Sequence, residues 1–180
     1  STNKALAKSS DKTQSESINK TLSESPDKKN TVTEPENNFN YISEYFHRGT
    51  VKLESNDYKG AESDYSKVIE LDPGMSQAYN NRGIVNIRLK NYKSAIDDYT
   101  RAIKLKPDDE KFYYNRGNAK YNLRRYREAV ADYNMAIKLN NKIPQFYNNR
   151  GNAKVELKDY KGAMKDYNRA INLMPDFAQA

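Results

Sequence analysis

The sequence predicts an all-α protein in which one pair of antiparallel helices is repeated four times. An Arg-Gly pair recurs every 34 residues, and its glycines are Gly49, Gly83, Gly117 and Gly151. Apolar and aromatic residues recur with the same period and fall on helical stripes. Prolines stand near the end of three periods, at Pro73, Pro107 and Pro175. A fixed period of this length indicates a repeat protein, in which each repeat is one supersecondary unit that packs on its neighbours.

The first 38 residues differ in composition from the rest. They contain no aromatic residue, and Ser, Thr, Lys, Glu and Asn dominate them. Such a segment cannot bury enough apolar area to offset the entropy lost on ordering. We therefore expect residues 1–40 to form a disordered leader, which either tethers the folded part or has no role of its own. A Ser-rich leader without an initiating Met favours an exported or lipid-anchored bacterial protein over a cytoplasmic one.

The repeating part divides into four units of 34 residues, which are 42–75, 76–109, 110–143 and 144–177. In every unit the fourth, seventeenth and twenty-fourth positions are Tyr and the twentieth is Ala. Positions 4, 8 and 11 share one helical stripe, and positions 20, 24, 27 and 28 share another. Each unit is therefore predicted to be two amphipathic helices, broken near positions 15–16 and near positions 31–34, where the prolines stand. Residues 178–180 are predicted to open a further unit or to be a truncated end.

The recurring tyrosines and glycines are predicted to serve packing. Twelve of the fifteen tyrosines occupy the three recurring positions, which leaves Tyr41, Tyr114 and Tyr121 for other roles. A glycine at position 8 that faces an alanine at position 20 would let two antiparallel helices approach closely. That approach would offset the ~1 kcal/mol by which Gly disfavours a helix interior. We expect the twelve tyrosines to be core residues rather than platforms for nucleobases.

The period and the spacing of its aromatic, Gly, Ala and Pro positions resemble the tetratricopeptide repeat (TPR) family over residues 42–177. The resemblance implies a right-handed superhelical solenoid of antiparallel helix pairs, whose first helices line a concave groove. The sequence departs from the family at Asn141, where Pro is usual, at Val68 for Ala and at Ser55 for Leu. It also carries Arg before each recurring glycine, where the family usually has Leu.

These arginines predict a ladder of ion pairs, because position 7 is Arg and position 23 is Asp in all four units. Both positions border the inward faces of their helices. Each guanidinium is expected to bind a carboxylate of its own unit or of the preceding one, since its planar fork suits a carboxylate while its stem packs on apolar neighbours. The alternative, four arginines aimed at an acidic ligand, does not account for the aspartates. The ladder residues are Arg48, Arg82, Arg116, Arg150, Asp64, Asp98, Asp132 and Asp166.

The resemblance places positions 2, 5, 6, 9, 12 and 13 of each unit in the groove, and asparagines recur there. A carboxamide offers a donor and an acceptor that match the C=O and N–H of a peptide. We therefore predict a non-enzymatic scaffold that binds an extended peptide segment through an asparagine column. The alternative is that Asn is simply common at positions 6 and 9 of the family. The predicted peptide-binding residues are Asn80, Asn81, Ile84, Lys111, Tyr114, Asn115, Asn118, Tyr121, Asn148, Asn149 and Asn152.

Some members of the family grip a C-terminal carboxylate with a clamp of lysines, asparagines and an arginine. In this chain two of the five clamp positions match, and most of the cations are missing. The five residues are Phe46, Thr50, Asn81, Lys111 and Asn115. A clamp of that kind is not predicted.

Composition excludes several classes of function. With no cysteine and His47 as the only histidine, the sequence predicts no metal site, no cofactor and no catalytic group. No run approaches the ~20 apolar residues of a membrane span. The net charge is +7, but no block of five like charges occurs, so a solvated lysine-rich surface accounts for it better than nucleic-acid binding.

A structural assembly module is the alternative function. Without a polar capping helix, the last second helix, at about residues 160–173, would expose apolar surface. Such a surface favours end-to-end association into a homo-oligomer, or contact with a missing C-terminal part.

Overall fold

A computed structural model describes residues 35–174. The expected leader up to residue 34, the localisation inferred from it and the expected opening of a further unit at residues 178–180 all lie outside the described residues. Residues 35–174 form eight helices and no strand. The helices are α1 (Pro35–Glu54), α2 (Tyr58–Leu71), α3 (Ser76–Arg88), α4 (Tyr92–Leu105), α5 (Glu110–Asn122), α6 (Tyr126–Leu139), α7 (Pro144–Glu156) and α8 (Tyr160–Asn172).

Every helix packs against the next one in sequence, both within a unit and between units. Each first helix also touches the first helix of the following unit. The prediction of an all-α stack of adjacent helix pairs is therefore confirmed. The odd-numbered helices are the first helices of the units, and the even-numbered helices are the second.

Helix α1 begins earlier than the sequence suggested. Residues 35–40 were expected to belong to the disordered leader, whereas the structure starts the helix at Pro35. A proline suits the first position of a helix, because its φ is already helical and its missing N–H is not needed there. Composition marked these residues as polar, but it carries no information about whether a neighbouring helix extends into them.

The turn inside each unit has the same backbone shape. One residue has positive φ, and these residues are Asn56, Lys90, Arg124 and Lys158, with φ of 65°, 61°, 58° and 64°. The next N–H bonds back to a carbonyl of the last helical turn, as from Arg125 to Lys120 at 2.9 Å. This left-handed residue closes the first helix and reverses the chain into the second.

The recurring glycines make room for tyrosine rings. A Cβ atom at Gly83 would lie 2.6 Å from Cε1 of Tyr99, and one at Gly117 would lie 2.7 Å from Cε1 of Tyr133. The nearest atoms thus belong to the tyrosine at position 24 and not to the alanine at position 20. The ring needs this space because it lies in the core, where Tyr133 is 1% exposed.

The expectation that all twelve recurring tyrosines are core residues is wrong for every tyrosine at position 17 and for Tyr45 and Tyr167, which are half-buried. The tyrosines at position 24 are buried in the first three units, and those at position 4 are buried in the last three. At position 17, Tyr58, Tyr92 and Tyr126 are only half-buried, and Tyr160 is 63% exposed. Position 17 is the first residue of each second helix, beside the turn, where few neighbours can cover a ring.

Replacing Gly117 with Ala should destabilise the fold, although Ala is the better helix former. The added methyl group would overlap the buried ring of Tyr133, and overpacking of this kind costs about 1–3 kcal/mol. Urea unfolding followed by circular dichroism measures the change. Gly74→Ala is the control, because its nearest atom is Oδ1 of the neighbouring Asp72 at 3.1 Å. Equal unfolding midpoints for the two variants would contradict the packing argument.

Candidate functional site

The arginine of each unit forms a bidentate ion pair with the aspartate of the same unit. Arg116 donates from Nε to Asp132 Oδ2 at 3.0 Å and from Nη2 to Oδ1 at 2.7 Å. The same fork joins the other three pairs, which are Arg48–Asp64, Arg82–Asp98 and Arg150–Asp166. Every one of these carboxylates is buried. The pairing stays within the unit and does not reach the aspartate of the preceding one.

A second cation completes the pair in three of the units. The Nζ atom of Lys120 lies 2.7 Å from Asp132 Oδ2, and Lys52 and Lys154 bind the corresponding carboxylates at 2.9 and 2.8 Å. Sequence reasoning missed these lysines, although their recurrence one turn after the arginine was a usable signal. The second unit has Asn86 instead, which donates to Asp98 Oδ2 at 3.0 Å. Within residues 35–174, the buried Oδ1 atom of Asn86 has no hydrogen-bond partner.

The pKa of Asp64 lies below that of an ordinary carboxyl group. Burial is the largest single influence and acts to raise this pKa, but the hydrogen bonds from Arg48 and Lys52 together outweigh it. The pKa of Asp166 is lowered by the same balance of burial against its arginine and lysine. These two carboxylates therefore stay charged at neutral pH, and the ion pairs of the first and fourth units remain ionic.

The third nitrogen of the arginine links neighbouring units. Nη1 of Arg116 donates to Thr100 Oγ1 of the preceding second helix at 3.1 Å, and Nη1 of Arg150 donates to Asn134 Oδ1 at 2.7 Å. Each guanidinium also lies over the tyrosine at position 4 of its own unit, at 4.8–5.8 Å from the ring centroid. Arg82, Arg116 and Arg150 are thus occupied within the protein and are not free to receive an acidic ligand. Arg48 has no preceding second helix among the described residues, and its side chain is 44% exposed beside Asp64.

The asparagines of the last two units form a hydrogen-bonded network. Nδ2 of Asn149 donates to Tyr114 Oη and to Asn118 Oδ1, both at 2.9 Å. Oδ1 of Asn118 also accepts from Tyr133 Oη at 2.8 Å. Tyr167 Oη donates to Asn152 Oδ1 at 2.8 Å. The hydroxyl groups of the tyrosines at position 24 therefore fix the orientation of both carboxamides at position 9.

The asparagines at positions 5 and 6 of the second and third units are bonded to one another. Asn115 donates to Asn80 at 3.0 Å, Asn80 donates to Asn81 at 3.2 Å, and Asn81 donates to Tyr65 Oη at 3.3 Å. Position 9 of the second unit is Ile84, which packs on the core cluster around Tyr99. The column is thus interrupted there by an apolar side chain.

Four of the predicted binding residues meet at one cavity of about 330 Å³. Its lining consists of Asn118, Tyr121, Asn122, Tyr133, Asn149 and Asn152. The ring of Tyr121 stands edge-on to Tyr126, with centroids 5.3 Å apart. The other predicted residues line no part of this cavity, and they are Asn80, Asn81, Ile84, Lys111, Tyr114, Asn115 and Asn148.

The chemistry of this cavity is that of an uncharged hydrogen-bonding surface. Among the described residues, Nδ2 of Asn118 and Nδ2 of Asn152 donate to no protein acceptor, while their oxygens are held by tyrosine hydroxyl groups. The two amides occupy the same position on successive first helices. The part of the chain that the structure describes contains no cluster of His, Cys, Asp and Glu suited to a metal ion. In the same part, no helix is long and apolar enough to cross a membrane.

Comparisons with known proteins identify the repeat. A family model described as tetratricopeptide repeat matches residues 76–109, 110–142 and 144–177, and a second model with that description matches residues 45–75. No curated protein matches the chain at the level of sequence.

Several solved structures share the fold. MamA from Desulfovibrio magneticus RS-1 has 21% identity and a TM-score of 0.72, over 75% of this chain and 76% of that one. The first TPR of Spaghetti (RPAP3), solved with an HSP90 peptide, has 24% identity and a TM-score of 0.65, over 66% and 94%. The TPR domain of Arabidopsis OM64 has 26% identity and a TM-score of 0.59, over 69% and 97%.

Replacing Asp98 alone with Ala should lower the melting temperature more than replacing Arg82 with Met and Asp98 with Leu together. The single change leaves a half-buried guanidinium without its carboxylate, and loss of one partner of a buried pair costs about 3–5 kcal/mol. The double change removes both charges and keeps apolar volume. Thermal denaturation in matched buffer compares the two, and equal melting temperatures would count against the ladder.

Proposed function

We propose that this chain, which belongs to the tetratricopeptide repeat family, binds an extended peptide segment in its asparagine-lined cavity. The fold of this family supports protein–protein interaction rather than catalysis. The observation that carries the proposal is the pair of unused amide donors on Asn118 and Asn152. The two amides are spaced by one repeat, because Asn118 and Asn152 occupy equivalent places on α5 and α7.

Two features give these donors their suitability for a peptide backbone. The oxygen of each amide accepts a hydrogen bond from a tyrosine hydroxyl group, and this bond fixes the orientation of the amide. Little entropy is therefore lost when the amide binds a carbonyl group. The ring of Tyr121 adds an apolar surface beside them. Asn149 already donates both of its N–H groups within the protein and supports the site. Asn81 and Asn115, which the sequence also suggested, each donate one N–H group within the protein and do not line the cavity.

The proposed peptide ligand differs from one that is bound through its C-terminal carboxylate. The RPAP3 repeat was solved with the HSP90 peptide SRMEEVD. In this chain, the position of one clamp cation carries Phe46, which is half-buried and packs edge-on to Tyr65 at 5.7 Å. An internal stretch of polypeptide, bound through its carbonyl groups, fits the uncharged amides better than a charged chain end.

Changing Asn118 and Asn152 to Asp tests the proposal without removing the oxygens that hold the site together. The substitution keeps an acceptor for each tyrosine hydroxyl group and replaces the free donor with a second acceptor. Peptides selected from a random display library on the unaltered chain should bind the double variant at least about tenfold more weakly, the effect of a lost hydrogen bond and a repelled carbonyl group. Fluorescence anisotropy measures the affinities.

The control is Asn141→Asp with Asn172→Asp, which changes the net charge equally at two exposed positions outside the cavity. It should bind the selected peptides like the unaltered chain. Selected peptides that bind the unaltered chain and both variants equally would show that the cavity is not their site.

Exposed apolar residues on α8 favour a second candidate function, end-to-end self-association. Met164 and Ile171 are 63% and 54% exposed. At the same positions of earlier units, the residues pack against core clusters that include the following first helix, as Val130 does beside Ala153 and Ile137 does beside Phe146. The face of α8 is thus of the kind that covers a first helix, and a second copy of this chain carries such helices.

Sedimentation equilibrium checks this candidate. The unaltered chain should show a mass that rises with concentration, whereas Met164→Gln with Ile171→Gln should remain monomeric. Met135→Gln with Leu139→Gln makes two apolar-to-Gln changes on another surface, where both residues are 38% exposed, and should still associate. A constant monomer mass for the unaltered chain would exclude self-association and leave the peptide site untouched.

A further inference from the structure

Positive charge is concentrated along one edge of the helix stack. We call this edge the basic rim and define it as the turn inside each unit with the first turn of the second helix. Its four segments are residues 55–61, 89–95, 123–129 and 157–163. They hold eight basic and three acidic residues, a net charge of +5 out of +7 for the whole chain.

The three acidic residues of the rim are committed to bonds within the protein. Asp57 and Asp159 accept from the N–H groups of Gly60 and Gly162 at 3.0 and 2.9 Å, as helix N-caps do. Glu128 accepts hydrogen bonds from Nε and Nη2 of Arg125 at 2.6 and 2.7 Å. The other seven cations are exposed and form no ion pair within residues 35–174. They are Lys59, Lys90, Lys93, Arg124, Arg127, Lys158 and Lys161.

Helix stability does not account for the cations at position 18. Lys59, Lys93, Arg127 and Lys161 each lie in the first turn of a second helix. The unpaired N–H groups of a helix start favour acidic side chains and disfavour basic ones. Yet α2, α4 and α8 carry no acidic residue in that turn.

Turn geometry does not account for the cations at position 15 either. Lys90, Arg124 and Lys158 have φ near +60°, a conformation that Gly adopts without strain and that Asn tolerates, as Asn56 does in the first unit. Basic side chains therefore occupy two kinds of position where folding prefers other residues. A ligand of opposite charge would account for both.

We propose that the basic rim is a second binding surface and that it takes an acidic polypeptide segment. The cations recur once or twice per unit along a single edge, so they form a line rather than a plane, and a linear polyanion fits a line better than a membrane does. Single-stranded nucleic acid would need free aromatic rings for its bases. On the rim, Tyr58, Tyr92 and Tyr126 are half-buried, and Tyr126 already packs against Tyr121. Tyr160 is 63% exposed, so the four rim segments offer one free ring rather than a row of them.

A cavity on the rim supports a polypeptide further. Its volume is about 410 Å³, and it lies between the second and third units. Ile96 and Leu123 give it an apolar lining between Lys93 and Arg125, and Asp97 is the one acidic residue of the lining. An acidic segment can place an apolar side chain there while its carboxylates meet the cations on either side, which a phosphate backbone cannot do.

Charge reversal at three positions tests the proposal, as Lys93→Glu, Arg127→Glu and Lys161→Glu combined. The probe is a fluorescein-labelled oligoglutamate peptide, and anisotropy is read at low and at physiological salt. The unaltered chain should bind it in a salt-sensitive way, and the variant should lose at least about tenfold in affinity. The melting temperature of the variant should stay equal or rise, because acidic residues suit the first turn of a helix.

The control reverses Lys104, Lys138 and Lys142 to Glu, which gives the same net charge at exposed residues away from the rim. It should keep most of the affinity. An equal loss of affinity in both variants would show that net charge alone causes the effect, and it would overturn the proposal. Absence of oligoglutamate binding to the unaltered chain would overturn it as well. Tighter, rim-dependent binding of oligothymidylate or of phosphatidylserine vesicles would overturn the assignment to a polypeptide. The Asn118→Asp, Asn152→Asp variant should bind oligoglutamate as its Asn141→Asp, Asn172→Asp control does, so failure at either surface is distinguishable.

Discussion

A buried carboxylate in every second helix is the constraint on which the rest of the structure depends. An aspartate that is at most 5% exposed is strongly unfavourable unless cations reach it. The arginine of the first helix supplies two hydrogen bonds, and its remaining nitrogen reaches the second helix of the preceding unit. One charged group therefore sets the relative position of three helices. Because the arrangement recurs, a local requirement for neutralisation fixes the register of the whole stack.

The same first helices connect the core to the cavity. Gly117 admits the ring of Tyr133, and the ring then carries its hydroxyl group to Asn118, the residue next to that glycine. Gly151, Tyr167 and Asn152 repeat the arrangement in the fourth unit. Close packing thus decides which way each carboxamide faces. In the second unit Ile84 stands where the asparagine would be, so the ring packs in the same way but no amide is presented.

Recurrence explains how much the sequence could predict. The helix pairs and the ion pairs were predictable because both partners recur with one period, as Arg116 and Asp132 do. The contact of Arg116 with Thr100 was not, since its counterparts are Ser66 and Asn134 and share hydrogen-bonding capacity rather than identity. The asparagine column was visible, but which amides are free was not. That depends on hydroxyl groups that reach the asparagines from another helix, which a linear pattern does not encode.

Charge separates the two proposed surfaces. The ladder uses its cations internally, where they bind buried carboxylates, and in three units an arginine and a lysine share one aspartate, which leaves one positive charge over in each. The cavity is lined by carboxamides and tyrosines and is uncharged. The rim holds most of the excess charge in exposed side chains, where ions screen it over a Debye length of about 8 Å at physiological salt. Salt therefore acts on the rim and spares the cavity. A partner that needs both surfaces must present an acidic stretch to one and plain backbone to the other, which restricts the choice of partner more than either surface does alone.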